Sequence, residues 1–165
     1  MSRIATRSRT TAETSIELSV NLDGSGQCDV STGIPFYDHM LSQVGKHGGF
    51  DLRIAAKGDL HIDTHHTIED VAITLGEAIR EALGDKTGVR RFASGLYPLD
   101  EALVEIALDL SGRPFVVWDV TCRVAWNKDA RCDDDRIKST IGQNHLVQHG
   151  ANAVALGDIR TDTNG

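Results

Sequence analysis

The sequence predicts an α+β fold in which βα units pack their helices on one face of a mixed or antiparallel sheet. Three observations predict it. Apolar residues recur at every second position over residues 14–22 and 99–110. They recur at the helical period from Phe36 to Lys46 and again from about Thr64 to Gly84. Turns rich in glycine and proline separate these stretches, so strands and helices form in succession and must share one core.

In the first stretch Ile16, Leu18, Val20 and Leu22 share one face, opposite Glu17, Ser19 and Asn21, as in a half-buried strand. Asp23-Gly24-Ser25-Gly26 turns the chain, and Gln27 to Thr32 reads as the returning strand of a hairpin. Gly33-Ile34-Pro35 breaks that strand, and Pro35 suits the first turn of a helix. That helix carries Phe36, Met40, Leu41 and Val44 at helical spacing, sets His39 and Gln43 four apart, and ends at Gly48-Gly49. Phe50 to Ile54 alternates again, Lys57-Gly58-Asp59 turns, and Leu60 to Asp63 reads as a short strand. Ile68, Val71, Ala72, Leu75, Ile79, Ala82 and Leu83 then form the stripe of a longer helix, which Asp63 or Thr64 can cap. In the second alternating stretch Ala102, Val104, Ile106, Leu108 and Leu110 oppose Leu103, Glu105, Ala107 and Asp109. Ser111 to Pro114 turns, and Phe115 to Val120 is a last β-like run.

The 165 residues suffice for one domain or two small half-domains on a common core. A formal net charge of -7 argues against a nucleic-acid surface, which needs a basic face. A few converging arginines would still accommodate an anionic small molecule. The first residues lack the apolar run of a signal peptide, and no stretch approaches the ~18 apolar residues of a membrane span. Cys28, Cys122 and Cys132 are odd in number and widely spaced, as expected of reduced thiols in a cytoplasm.

Chemistry concentrates between Asp59 and Asp70, where seven of twelve residues are His, Asp or Glu. On the strand expected there, Asp59, His61 and Asp63 share a face. His65 and His66 fall in the first turn of the following helix, four and three residues before Glu69, so the carboxylate can reach a metal held by either. Adjacent helical residues diverge by ~100°, so a His-His pair serves two metals, or one metal and another task. The helix dipole alone would favour the carboxylates, but not three histidines in six positions. Imidazole with carboxylate suits Mn, Fe or Zn, and the lack of nearby cysteine argues against structural zinc. His-Glu-x-x-His, the zinc-protease pattern, is absent. Cys132-x12-His145-x3-His149 has part of a zinc-finger spacing, but Cys122 lies nine residues off rather than two to four. Outside the cluster, His39 follows Asp38, which could orient it as a ligand. Arg91 and Arg113 are surface cations by default, and Arg113, in a Ser-Gly-Arg-Pro turn, is the better anion candidate.

Several segments together resemble the imidazoleglycerol-phosphate dehydratase family. They are Arg7 to Glu13, Gly33 to Leu41, His47 to Leu52, Gly58 to Asp70, Pro98 to Ala102 and Asp109 to Pro114, in matching order over about 115 residues. The resemblance implies tandem βα halves like domain 2 of ribosomal protein S5, assembled into a 24-subunit shell with active sites between subunits. It implies a hydro-lyase of histidine biosynthesis that converts imidazole glycerol phosphate to imidazole-acetol phosphate, with no nucleic-acid or membrane partner. It implies two manganese ions holding the substrate ring as imidazolate. Carried over residue by residue, His39, His66 and Glu69 are ligands of one ion and His65 of the other. Glu13, Gln43, His47, Arg91 and Arg113 contact substrate, the arginines toward its phosphate, and Glu13 and Glu69 are the candidate catalytic carboxylates.

The family repeats its His-His-x-x-Glu motif in its second half. Here His65-His66 is the sole adjacent pair, and no glutamate follows Glu105. The expected organisation is a first half-domain over 1–90, the start of a second over 91–120, and an atypical tail over 121–165 whose pattern is that of a shifted reading frame or a disordered end.

Overall fold

A computed structural model describes residues 2–100 and 102–117. Along them run β1 (Ile4–Thr10), β2 (Thr14–Asn21), β3 (Cys28–Ser31), α1 (Pro35–Gly48), β4 (Asp51–Gly58), α2 (His65–Leu83), β5 (Phe92–Leu99) and β6 (Ala102–Asp109). The first four strands form one mixed sheet in the order β1-β2-β4-β3, and β5 and β6 pair as a hairpin. The fold is α+β, as expected.

The sheet is organised by β2. Its inward residues Ile16, Leu18 and Val20 are almost wholly buried, and its register with β4 sets Leu18 against Ile54 and Val20 against Leu52. On this apolar surface lie Val71, Leu75, Ala78, Ile79, Ala82 and Leu83 of α2 and Leu41 of α1, in one continuous core. Each Val, Leu or Ile among them contributes about 1.5–3 kcal/mol when fully buried. The outer residues Glu17, Arg53, Ala55 and Lys57 are exposed, so both helices cover the same face.

Four expectations need correction. Gln27 to Thr32 does not return along β2. β3 instead pairs parallel with β4, Val30 opposite Ile54, with α1 as the crossover. The eight-residue β4, apolar at Leu52 and Ile54, takes the place beside β2, and the short, half-buried β3 is left at the edge. Second, β4 continues through Gly58, where a turn was expected. Third, Leu60 to Asp63 forms a turn closed by Ile62 N–H to Asp59 O at 2.8 Å, so Asp59, His61 and Asp63 do not share a strand face. The carboxylates flanking it are engaged by α2 rather than lined along a strand. Fourth, residues 115–117 belong to no strand, and the rest of the expected run lies outside the described residues.

Two strands escape hydrophobic periodicity. β1 faces the core with Ala5 followed by Arg7 and Arg9, whose guanidinium groups meet Glu81 and Asp70 of α2. β5 contains Gly95 and Pro98, residues that strand patterns disfavour, and is held by full register with β6. On α1, Leu41 is buried while Phe36 and Met40 stay exposed. No helix among the described residues is long and apolar enough to cross a membrane.

Gly58 lets the start of α2 approach the end of β4. A Cβ there would stand 1.9 Å from Thr67 Oγ1, on a fully buried side chain. Gly58→Ala is therefore expected to destabilise the chain by about 1–3 kcal/mol, measured as a lower urea midpoint at unchanged m-value; an unchanged midpoint would refute this packing.

Candidate metal and substrate site

The first turn of α2 is set by carboxylates from outside the helix. Thr64 is the residue before the helix, but its side chain makes no capping bond. Asp63 Oδ1 caps instead, accepting the His65 N–H at 2.9 Å, and that bond holds the Asp63 pKa below its ordinary value.

From this turn the two histidine rings stand edge to face, with centroids 5.8 Å apart and planes at 73°. His65 Nε2 lies 3.3 Å from Glu69 Oε2, one helical turn on. His66 Nδ1 lies 3.0 Å from Asp59 Oδ2, at the end of β4. The Asp59 hydrogen bond raises the His66 pKa above its ordinary value against the desolvation that lowers it, and the charges of Glu13 and Glu69 push in the same direction. Glu13, 53 residues earlier in the chain, thus lies in the electrostatic neighbourhood of His66.

Glu13 arrives there through a buried knot. Asp70 is 7% exposed and accepts hydrogen bonds from Arg9 Nε at 2.7 Å, Thr14 Oγ1 at 2.5 Å and Thr11 Oγ1 at 3.3 Å. Thr11 Oγ1 in turn accepts the backbone N–H groups of Glu13 and Thr14. One carboxylate therefore fastens the β1–β2 turn, which carries Glu13, to the helix that carries His65, His66 and Glu69. Burial alone would raise the Asp70 pKa, but the Thr14 and Arg9 hydrogen bonds, with the Arg9 charge and Thr11, bring it below the ordinary value.

The remaining expected residues fall into two places. On α1, Gln43 Oε1 and His47 Nε2 meet at 2.8 Å on a solvent-facing side. His39 is exposed and has no hydrogen-bond partner among the described residues. Asp38, expected to orient it, instead accepts the backbone and hydroxyl hydrogens of Thr32, fixing the entry to α1. At the β5–β6 hairpin, Arg91 Nε donates to Asp109 Oδ1 at 2.7 Å, with its guanidinium 4.8 Å from the centre of the Phe92 ring. The Arg91 hydrogen bond lowers the Asp109 pKa, helped by the charges of Arg113 and Lys86. Arg113 is exposed in a turn closed by its N–H to Ser111 Oγ.

The donors match a borderline divalent cation in type: imidazoles beside a carboxylate, with His66 backed at Nδ1 by a second carboxylate, as ligating histidines commonly are. In number they make pairs within one chain. No three His, Cys, Asp or Glu side chains, His39 included, converge on a metal position among the described residues. Cys132, His145 and His149 lie outside the described residues. Sequence reasoning did not find Asp59 and Asp70 in these roles. Their partners lie across a turn or on other strands, where no local period links them.

The family model described as imidazoleglycerol-phosphate dehydratase matches residues 32–155. The enzyme of that name from Acidothermus cellulolyticus is 59% identical over 115 residues, covering 70% of this chain and 56% of the relative. The one from Acidiphilium cryptum is 62% identical over 120 residues, covering 73% and 61%. The chain thus spans about 56–61% of the length of these curated relatives. Among solved structures, the Staphylococcus aureus imidazoleglycerol-phosphate dehydratase aligns with a TM-score of 0.67 at 27% identity, covering 93% of this chain and 78% of that one. The Pyrococcus furiosus structure, solved in complex with (S)-C348, aligns with a TM-score of 0.65 at 29% identity, covering 96% and 98%.

The Asp70 knot has a defined pH dependence. A carboxylate whose native pKa is depressed stabilises the fold above its unfolded value, about 3.9, and that contribution is lost as pH falls through the lower native value. Asp70→Asn should lower stability at neutral pH by about 1–3 kcal/mol. In urea titrations from pH 7 to pH 3 its difference from wild type should shrink at the acid end; a constant difference would contradict the assignment.

Proposed function

The chain belongs to the imidazoleglycerol-phosphate dehydratase family, and from that premise we propose that it takes part in the dehydration of imidazole glycerol phosphate in histidine biosynthesis. The observation that supports this reading is the start of α2, where His65 pairs with Glu69 and the charges of Glu13 and Glu69 act on His66. In the reaction a C–O bond breaks at the carbon beside the ring and a proton leaves the next carbon, giving imidazole-acetol phosphate and water. That proton is not adjacent to a carbonyl, so the ring must supply the electron push.

In this reading His39, His66 and Glu69 hold one manganese ion and His65 the other, in the cytoplasm and within a homo-oligomer in which neighbouring copies bring separated residues together. Bound metal would supply the positive charge that lowers the ring's pKa and favours its imidazolate form. The chain's own groups do the rest. Glu13 or Glu69 moves the proton. Gln43 and His47 contact the polar groups of the substrate from α1. Arg91 and Arg113 receive the phosphate, which displaces Asp109 as the anionic partner of Arg91; a guanidinium matches phosphate oxygens in the same way as a carboxylate.

The sequence carries one His-His-x-x-Glu where the family has two, so turnover by this exact chain is weak in this account. A second reading, a non-catalytic metal-binding or assembly remnant, is supported by the single His-His-x-x-Glu in the sequence.

Purified chain incubated with Mn2+ and imidazole glycerol phosphate should form imidazole-acetol phosphate at a metal-dependent rate at least about 10²-fold below an intact relative, the scale of losing one electrostatic stabiliser of the transition state. Glu69→Gln should abolish it. Manganese binding without product would favour a metal-binding remnant, and neither binding nor product would overturn the catalytic reading and leave only an assembly remnant.

A further inference from the structure

We infer that Asp59 is a positioning residue for His66, holding the proton on Nδ1 and leaving Nε2 as the lone-pair donor. The proposal deepens the reading of His66 as a ligand and rests on it for its functional meaning. Asp59 Oδ2 is 3.0 Å from His66 Nδ1, and the Asp59 side chain is 13% exposed. Its other oxygen, Oδ1, is buried without a hydrogen-bond partner among the described residues.

A largely buried carboxylate so thinly satisfied is costly to keep for stability alone. Asp70 shows the contrast: it has three donors and ties three elements together. Asp59 ties one ring. An ionised carboxylate can only accept, so the imidazole nitrogen facing it carries the hydrogen, and the neutral ring's free electron pair is on the opposite nitrogen. The backbone holds the carboxylate in place. Ile62 N–H closes a turn onto Asp59 O, and the bare Gly58 lets that turn sit against Thr67 in the first turn of α2. The spacing of a strand-end aspartate and a helix-start histidine is therefore set by packing, not by the pair itself.

The test is the ring tautomer of His66, read by long-range proton–nitrogen correlation NMR on the metal-free, 15N-labelled chain at a pH where the ring is neutral. Wild type should show the Nδ1–H form. Asp59→Ala should move the ring toward the Nε2–H form that an unpartnered imidazole prefers, and Asp59→Asn, which keeps an acceptor oxygen, should restore Nδ1–H. A wild-type ring in the Nε2–H form overturns the proposal, and needs no variant to fold. In parallel, Asp59→Ala should weaken Mn2+ binding about 10–100-fold, with Asp59→Asn intermediate. Unchanged affinity in a folded Asp59→Ala chain also overturns it. A tautomer that shifts as expected in a chain that binds no Mn2+ would uphold the positioning role and refute His66 as a ligand.

Discussion

The site depends on the seating of α2, and that seating is fixed by the Asp70 carboxylate. Apolar burial drives the helix onto β1, β2 and β4, but a stripe of Val, Leu, Ile and Ala would tolerate small slides and rotations. Asp70 does not tolerate them, because its three donors come from β1, β2 and the turn between them. Charge-assisted hydrogen bonds of this kind are worth about 1.5–3 kcal/mol each, and leaving one unmade in a buried place costs similarly. The hydrophobic effect holds the helix on the sheet; the carboxylate chooses where along it.

The four acidic side chains around the first turn of α2 divide the work by their surroundings. Asp63 is exposed and caps the helix through a backbone N–H. Asp70 is buried and multiply satisfied, and it joins elements. Asp59 is largely buried and thinly satisfied, and it faces one ring. Glu69 is one turn along the helix and lies within reach of His65. Four carboxylates in twelve residues are thus not a uniform acidic patch, since Asp59, Asp63 and Asp70 each have their own donors. At the hairpin, Asp109 likewise gives Arg91 a single carboxylate partner.

What was legible in the sequence followed from burial that is local in the chain. β2 and α2 announce themselves because each buries a face of apolar residues at its own period; α1 and β6 keep the period, although Phe36, Met40, Leu103 and Val104 stay exposed. β1 does not, since Arg7 and Arg9 occupy inward positions and their partners lie on a helix more than sixty residues away. β3 was legible as a strand but not its partner, because pairing is decided by which longer strand competes for the edge of β2. The cluster from His61 to Asp70 reads as a metal-type site from composition and spacing, and the structure arranges its histidines in pairs with carboxylates. The distribution of its partners was not legible: His66 turns to Asp59 across a turn and His65 takes Glu69.

The central claim is that the first turn of α2 is the end of the molecule that receives metal. Anomalous diffraction from crystals grown with Mn2+ tests it most directly. The account predicts a manganese peak at ligand distance from His66 Nε2 and Glu69, completed by residues such as His39 from this or a neighbouring copy. A peak elsewhere, or a fully folded lattice with no peak at α2, would contradict it.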